Sequence, residues 1–338
     1  MKQLGRYSGI SALALIVLAV ISARGSEGIA TKPLPRIAIL DDCDPVFKGK
    51  AAYGDNLTAI TGDGQMSFRV SGLNGCETIG CNHQIAIDVE RGWIWVSETV
   101  TKRVLKYDFT GKQLLSLPIS ANALAVDTKT GYVWILVSNG TIHSPTTEIV
   151  DADGQHIQTC AFGGFDIAYD AAHHCVWLAG ENLVKANADN FAKISQQRIA
   201  SWSAASLAVN TSTGGVWIAV RQHPGVPGSH NEVLGFDSEG ILQHSIPLGQ
   251  STPFHVAVNP KDGSVWITQL HSELLCCTSE GKVDIVFPIQ PLAAEVDSET
   301  GDVWMVLEDE VVRVNPKGET LWRVKHASRT NSAWIGTY

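Results

Sequence analysis

Residues 124–135 read LAVDTKTGYVWI, and five near-copies accompany them: IAIDVERGWIWV (85–96), IAYDAAHHCVWL (167–178), LAVNTSTGGVWI (207–218), VAVNPKDGSVWI (256–267) and AEVDSETGDVWM (294–305). In every copy an Asp or Asn stands seven residues before a Trp. The anchors are Asp88, Asp127, Asp170, Asn210, Asn259 and Asp297, and the Trps are Trp95, Trp134, Trp177, Trp217, Trp266 and Trp304. The seven-residue interval is constant while successive Trps lie 38–49 residues apart. Self-similarity at that period marks a repeat architecture.

Each repeat reads as four short strands. An apolar strand ends at the anchor, whose short side chain suits a turn because it can hydrogen-bond the backbone two residues on. A polar turn, usually with Gly (TKTG, PKDG, SETG), leads to the Trp strand. A third strand (RVLKYD, EVLGFD), a second Gly turn (FTGK, SEGI) and a fourth strand (QLLSLPI, LQHSIPL) follow. Four-stranded units of about 40 residues are propeller blades, since one such sheet cannot cover both its faces alone. The Trp supplies an apolar plate between neighbouring sheets. Two residues before the anchor the series is Ala86, Ala125, Ala168, Ala208, Ala257 and Glu295, small side chains where blades converge, with one exception.

The ends imply closure. NLTAITGDGQMSFRV (56–70) copies the second half of a repeat, and SAWIGTY (332–338) copies one inner strand. The expected fold is therefore an all-β propeller of four-stranded antiparallel blades over 56–338, with seven blades through a composite closing blade and six as the alternative.

The first residues have another character. Lys2 and Arg6 precede an apolar run near Ile10–Ile21 and the exit SARGSEG, which reads as a signal peptide over 1–23, followed by an N-terminal extension over 24–55. That reading implies a secreted or periplasmic protein with no membrane span after cleavage, a retained anchor being the alternative. A formal charge of −9 argues against a nucleic-acid partner, which wants a basic stripe. Seven cysteines cannot all pair within one chain: Cys76 and Cys81 share a loop, either could reach Cys43, and Cys160 and Cys175 flank one strand as a further candidate pair. Cys276 and Cys277 read as buried small hydrophobes.

HVAVNPKDGSVWITQ and QIAIDVERGWIWVSE resemble the NHL-repeat and virginiamycin B lyase-like propellers over about residues 57–338. The resemblance implies the propeller fold. It also sets WVSE (Glu98) and WITQ (Gln269) where the lyase pattern has a strand-ending Glu, and His255 of PFHVAV near the His that precedes some inner strands there. The NxIGRI third-strand signature of the lyases is missing, and a shared fold does not carry an activity across.

Two functions follow as expectations. In the first, the variable loops 138–148 and 221–231 lie on one face and engage a protein, peptide or glycan, with Arg221 and His223 as loop contacts. Four residues before each anchor, Gln84, Asp166, Ser206 and His255 would ring the channel mouth as ligand-binding groups, with Ala123 and Ala293 completing the column. In the second, a metal-assisted lyase or hydrolase uses the same mouth. His255 and Glu295 would be catalytic, Glu98, Asp166 and Glu295 would hold a divalent ion, Mg or Ca, and Gln84 or Gln269 would orient substrate. No dinucleotide, Walker or zinc-protease motif points to any other cofactor. HHC (173–175) carries three metal-capable side chains but replaces a turn on the opposite face.

Overall fold

The computed structural model describes residues 35–43, 55–73, 84–98, 101–137, 146–199, 204–221, 230–325 and 330–337. They form seven four-stranded antiparallel sheets. Blades 1 to 6 run in chain order, with inner strands Ile85–Asp88, Ala121–Val126, Asp166–Asp170, Ala204–Asn210, Pro253–Val258 and Ala293–Val296. Each inner strand pairs with a Trp strand: Trp93–Glu98, Val133–Val137, Cys175–Ala179, Gly215–Val220, Val265–Gln269 and Val303–Val306. Third and outer strands follow in sequence. The chain is a seven-bladed β-propeller.

Blade 7 is composite, with Thr330–Thr337 innermost, then Pro35–Cys43, Asp55–Thr61 and Met66–Leu73. The two ends of the chain are joined through pairs such as Ile37↔Thr337 and Ile39↔Ile335. The strand Pro35–Cys43 lies in the stretch read as an extension before residue 56, so the propeller starts earlier than the sequence pattern suggested. It escaped the pattern because PRIAILDDC has neither the Trp nor the anchor spacing of a repeat.

The motif's chemistry explains the ring. Asp127 accepts from the backbone N–H of Lys129 and Thr130, and Asp88, Asp170, Asn210, Asn259 and Asp297 cap their own turns likewise. A second set of anchors closes the turns between third and outer strands, as Asp108, Asp151 and Asp237 do. The Trps are nearly inaccessible, from 0% exposed for Trp134 to 6% for Trp217. Burying an aromatic plate of roughly 200 Å² contributes about 5 kcal/mol before ordering costs.

Each of the seven apolar clusters draws on two neighbouring blades. Trp134 of blade 2 packs with Ile167 and Val176 of blade 3, and Trp177 with Leu207 and Val216 of blade 4. Trp304 of blade 6 meets Ile37 and Ile39 of blade 7, while Ala38 and Leu57 of blade 7 meet Ile85 and Ile94 of blade 1. Every blade therefore has both faces covered.

Cys160 and Cys175 are both free and buried, contrary to the candidate pairing: Cys160 ends the outer strand of blade 2 and Cys175 starts the Trp strand of blade 3, in different interblade layers. Cys276 and Cys277 are free and buried, as small hydrophobes would be. Cys76 and Cys81 lie outside the described residues, as do the segment read as a signal peptide and most of the 138–148 and 221–231 loops, His223 included. Among the described residues no helix is long and apolar enough to cross a membrane.

Candidate functional site

The inner strand of a blade has one partner, so its axial edge presents N–H and C=O groups that need satisfying. The polar column four residues before the anchors performs much of this task. Asp166 Oδ2 accepts from the Leu207 N–H of blade 4 at 2.7 Å, and Oδ1 accepts from the Ile167 N–H at 2.9 Å. One blade on, Ser206 Oγ accepts from the Val256 N–H of blade 5 at 3.3 Å. One further on, the His255 ring lies by the backbone of Ala294 in blade 6. Two successive junctions are thus latched by side chains of this one column.

Gln84 behaves differently. Its Nε2 donates to Asp166 Oδ1 at 3.4 Å, reaching past blade 2, where the column residue is the small, fully buried Ala123. Glu295 enters from blade 6, and its Oε1 accepts from the Val296 N–H at 3.1 Å. Burial pushes the Glu295 carboxyl up to about 8, with the charge of Asp166 adding to the rise. Burial also pushes the Asp166 carboxyl up to about 7, although two backbone N–H bonds pull it down. A hydrogen bond thus joins blades 1 and 3 at the axis, and the Asp166 charge is felt by Glu295 of blade 6. Two carboxyls that cannot both ionise cheaply share one environment.

The remaining candidates are committed elsewhere. Glu98 is 1% exposed and binds Arg103 Nη2 at 2.8 Å and the Thr101 hydroxyl; its Oε1 has no partner among the described residues. Gln269 Nε2 donates to the Glu273 carbonyl at 2.8 Å, closing its own loop. Arg221 donates to the Pro253 carbonyl at 3.0 Å and lies 5.0 Å over the Phe254 ring, so it ties blade 4 to blade 5. Burial pushes the His255 imidazole down to about 4, and its Nδ1 has no partner. The charge that reaches Glu295 is that of Asp166, and the His255 ring faces backbone, so no His255–Glu295 ion pair forms. Among the described residues no group of three His, Cys, Asp or Glu side chains is placed to hold a metal ion.

On the opposite, turn-bearing face, His173 Nδ1 meets Asp170 at 2.9 Å, and His174 joins the Tyr169 hydroxyl to Asp189, both at 2.8 Å. These histidines tie turns together. The same face holds a feature the sequence reading missed, a pocket of about 260 Å³ between blades 4 and 5 whose lining includes Trp217, Gly235, Asp237, Gln243, His244 and Ser279. Its sequence signal was a Gly two residues before a third-strand anchor, where Lys106, Lys185 and Arg313 stand in other repeats.

No protein-family model matches the sequence, and no curated protein matches it. Among solved structures the chain is similar to Kuenenia stuttgartiensis hydrazine synthase, with a TM-score of 0.61, 9% identity, and coverage of 82% of this chain and 92% of that one. Likeness at that identity extends to the fold. Because 1509 solved chains match, the likeness selects no activity. What the geometry and the comparisons establish together is a seven-bladed β-propeller with a polar, carboxyl-bearing axis.

Proposed function

We propose that the chain is an exported binding or scaffold propeller of the NHL and virginiamycin B lyase-like kind, engaging a protein, peptide or glycan through its loop-bearing face and channel mouth. One observation carries the reading. Most of the polar side chains at the mouth are spent on architecture: Ser206 and Asp166 latch neighbouring strands, Glu98 holds Arg103, and Gln269 and Arg221 hold carbonyls. A rigid ring with variable loops on one face is suited to recognition. Glycan and peptide arrays probed with the mature chain test it. A variant in which 138–145 and 222–229 are replaced by short Gly-Ser links should lose the hits at unchanged melting temperature. Hits that survive both replacements refute the loop-face reading.

The Asp166–Glu295 carboxyl pair favours a second reading, a lyase or hydrolase at the axis, aided by a divalent ion such as Mg or Ca that these two carboxyls would help to hold. A carboxyl that titrates near neutrality is suited to general acid or base work. Under this reading, turnover in a lactone and ester panel depends on added metal and falls at least a hundredfold in Glu295→Gln. Turnover equal in wild type and Glu295→Gln rules it out.

A further inference from the structure

The blades themselves define a ligand for the pocket between blades 4 and 5. In blades 1, 3 and 6 the residue opposite the Trp is basic, with Trp95↔Lys106, Trp177↔Lys185 and Trp304↔Arg313 in register. Each basic arm runs along the indole and donates to the next blade. Lys106 Nζ reaches the Ala152 carbonyl at 2.6 Å, Lys185 Nζ reaches Ser238 at 2.7 Å, and Arg313 Nη1 reaches Gly62 at 2.7 Å. The cationic groups lie 5.0–5.3 Å from the paired ring centroids, within cation–π range. The acceptor is always the residue just after the next blade's third-strand anchor (Asp151, Asp237 or Thr61).

Blades 2 and 5 lack the arm but close the space with aromatic rings, Phe191 on Trp134 at 5.7 Å and Phe287 stacked on Trp266 at 5.3 Å. Blade 4 has Gly235 opposite Trp217, and Ser279 of blade 5 holds the acceptor position. His244 stacks beside Trp217 at 5.7 Å, yet a pocket of about 260 Å³ remains. Where an ammonium or guanidinium arm lies elsewhere, the Trp217 ring here leans on Gly235 and the space beyond it is left as this pocket. Its lining carries one carboxylate, Asp237, which accepts from Gln243, and two lining serines, Ser238 and Ser279, donate to Glu239 and Glu280.

We propose that this slot is a binding site for an organic cation on a slender aliphatic stem, the lysine or arginine side chain of a partner peptide or a free alkylamine, lying on Trp217 and donating to the blade 5 turn at Ser279. The site is on the turn-bearing face and stands independently of the loop-face reading. The proposal rests on intramolecular precedent, since the same fold packs this chemistry into the equivalent slot three times. It also rests on charge, in a chain of formal charge −9.

The test follows indole N–H signals by NMR, with the Trp217 signal assigned through Trp217→Phe. The mature chain is titrated with butylammonium, butylguanidinium, and a capped Gly-Lys-Gly peptide. Butanol and tetramethylammonium serve as controls, the first without charge and the second without a donor. Saturable movement of the Trp217 signal by any cationic probe, at least tenfold tighter than by either control, is the expected result. Peptide binding without butylammonium binding identifies a protein partner, and the reverse identifies a free amine. Asp237→Asn keeps the turn, as Asn187 and Asn315 do in blades 3 and 6, and should weaken binding at least threefold. Gly235→Lys should abolish it by filling the slot from within. A Cβ there meets the Trp217 ring at 2.8 Å, so if that variant does not fold, Asp237→Asn decides. Equal response to butanol, no saturation below about 10 mM, or unchanged affinity in Asp237→Asn overturns the proposal.

Discussion

Replacing Glu295 by Gln should make the protein more stable above neutral pH and flatten its dependence on pH. An unfolded chain releases the Glu295 proton at an ordinary carboxyl value near 4.5, whereas the folded ring holds it to about 8. The folded state therefore binds more protons between those limits. Stability from this group is fully present below about 4.5 and is lost as pH rises through 8. At 1.36 kcal/mol per decade the upper bound is about 5 kcal/mol. Part of the rise is the charge of Asp166, and Glu295 keeps partial solvent contact, so about 2 kcal/mol is the working figure. In a domain of this size that corresponds to a melting temperature about 4 °C higher for Glu295→Gln at pH 8, with the two proteins converging near pH 5. Gln keeps the acceptor for the Val296 N–H, so the comparison isolates the charge. His255, whose folded value is depressed to about 4, adds stability above its ordinary value of 6.5 and loses it as pH falls. That effect is common to both proteins and cancels in their difference. Urea titrations at half-unit steps from pH 5 to 8.5 provide the measurement. A difference that stays flat across the window, or a less stable variant at pH 8, would falsify the buried-carboxyl account.

Arg36 grips Asp297 through two bonds, Nε to Oδ2 at 2.8 Å and Nη2 to Oδ1 at 2.6 Å, joining blade 7 to blade 6. Arg36→Ala strands a fully buried carboxylate and should cost about 3 kcal/mol, read as a lower urea midpoint; a loss below 1 kcal/mol means the junction is held by packing alone. Burial pushes the thiols of Cys175 and Cys277 up to about 11 and that of Cys276 to about 12. Peptide mapping after alkylation at pH 8 should find these thiols unmodified in native protein and modified in urea, and native labelling contradicts the interblade placement. Trp134→Ala, which empties a fully buried plate between blades 2 and 3, should cost about 4 kcal/mol; a thermal scan showing less than a 2 °C drop would count against the plate as a principal interblade contact.

The architecture was readable because one local need recurs: a short acidic or amide side chain to cap a turn, and a Trp at fixed distance to face the next sheet. The closing blade was readable in three of its four strands, since 56–70 and 332–338 keep the repeat's pattern, whereas its second strand has lost both markers. The polar column was visible as a column, but its work was not. Asp166 and Ser206 look like ligand-facing groups until the backbone N–H groups of Leu207 and Val256 are placed beside them. The Glu295 anomaly was visible as a carboxylate among alanines, whereas its bond to the Val296 N–H, and the reach of the Asp166 charge from half the ring away, were not. The amine-sized slot needed strand register: Trp217 and Gly235 are separated by a loop whose length gives no hint that they stand opposite each other.

The composite blade also sets a timetable. Ile37 pairs with Thr337, so a strand made first must wait for one made about 300 residues later. At 5–20 residues per second of synthesis that wait is roughly 15–60 s. Through it the edge of Pro35–Cys43 that finally takes Thr330–Thr337 has no mate, and Ile37 and Ile39 wait almost as long for the blade 6 surface they pack on. The blades can pack one on another as they emerge, which makes the final closure cheap in loop entropy. The hazard is in the interval: an open arc with a free apolar flank at each end can join a second arc as readily as itself. Concentration during synthesis, more than the stability of the finished ring, then decides the yield of monomer.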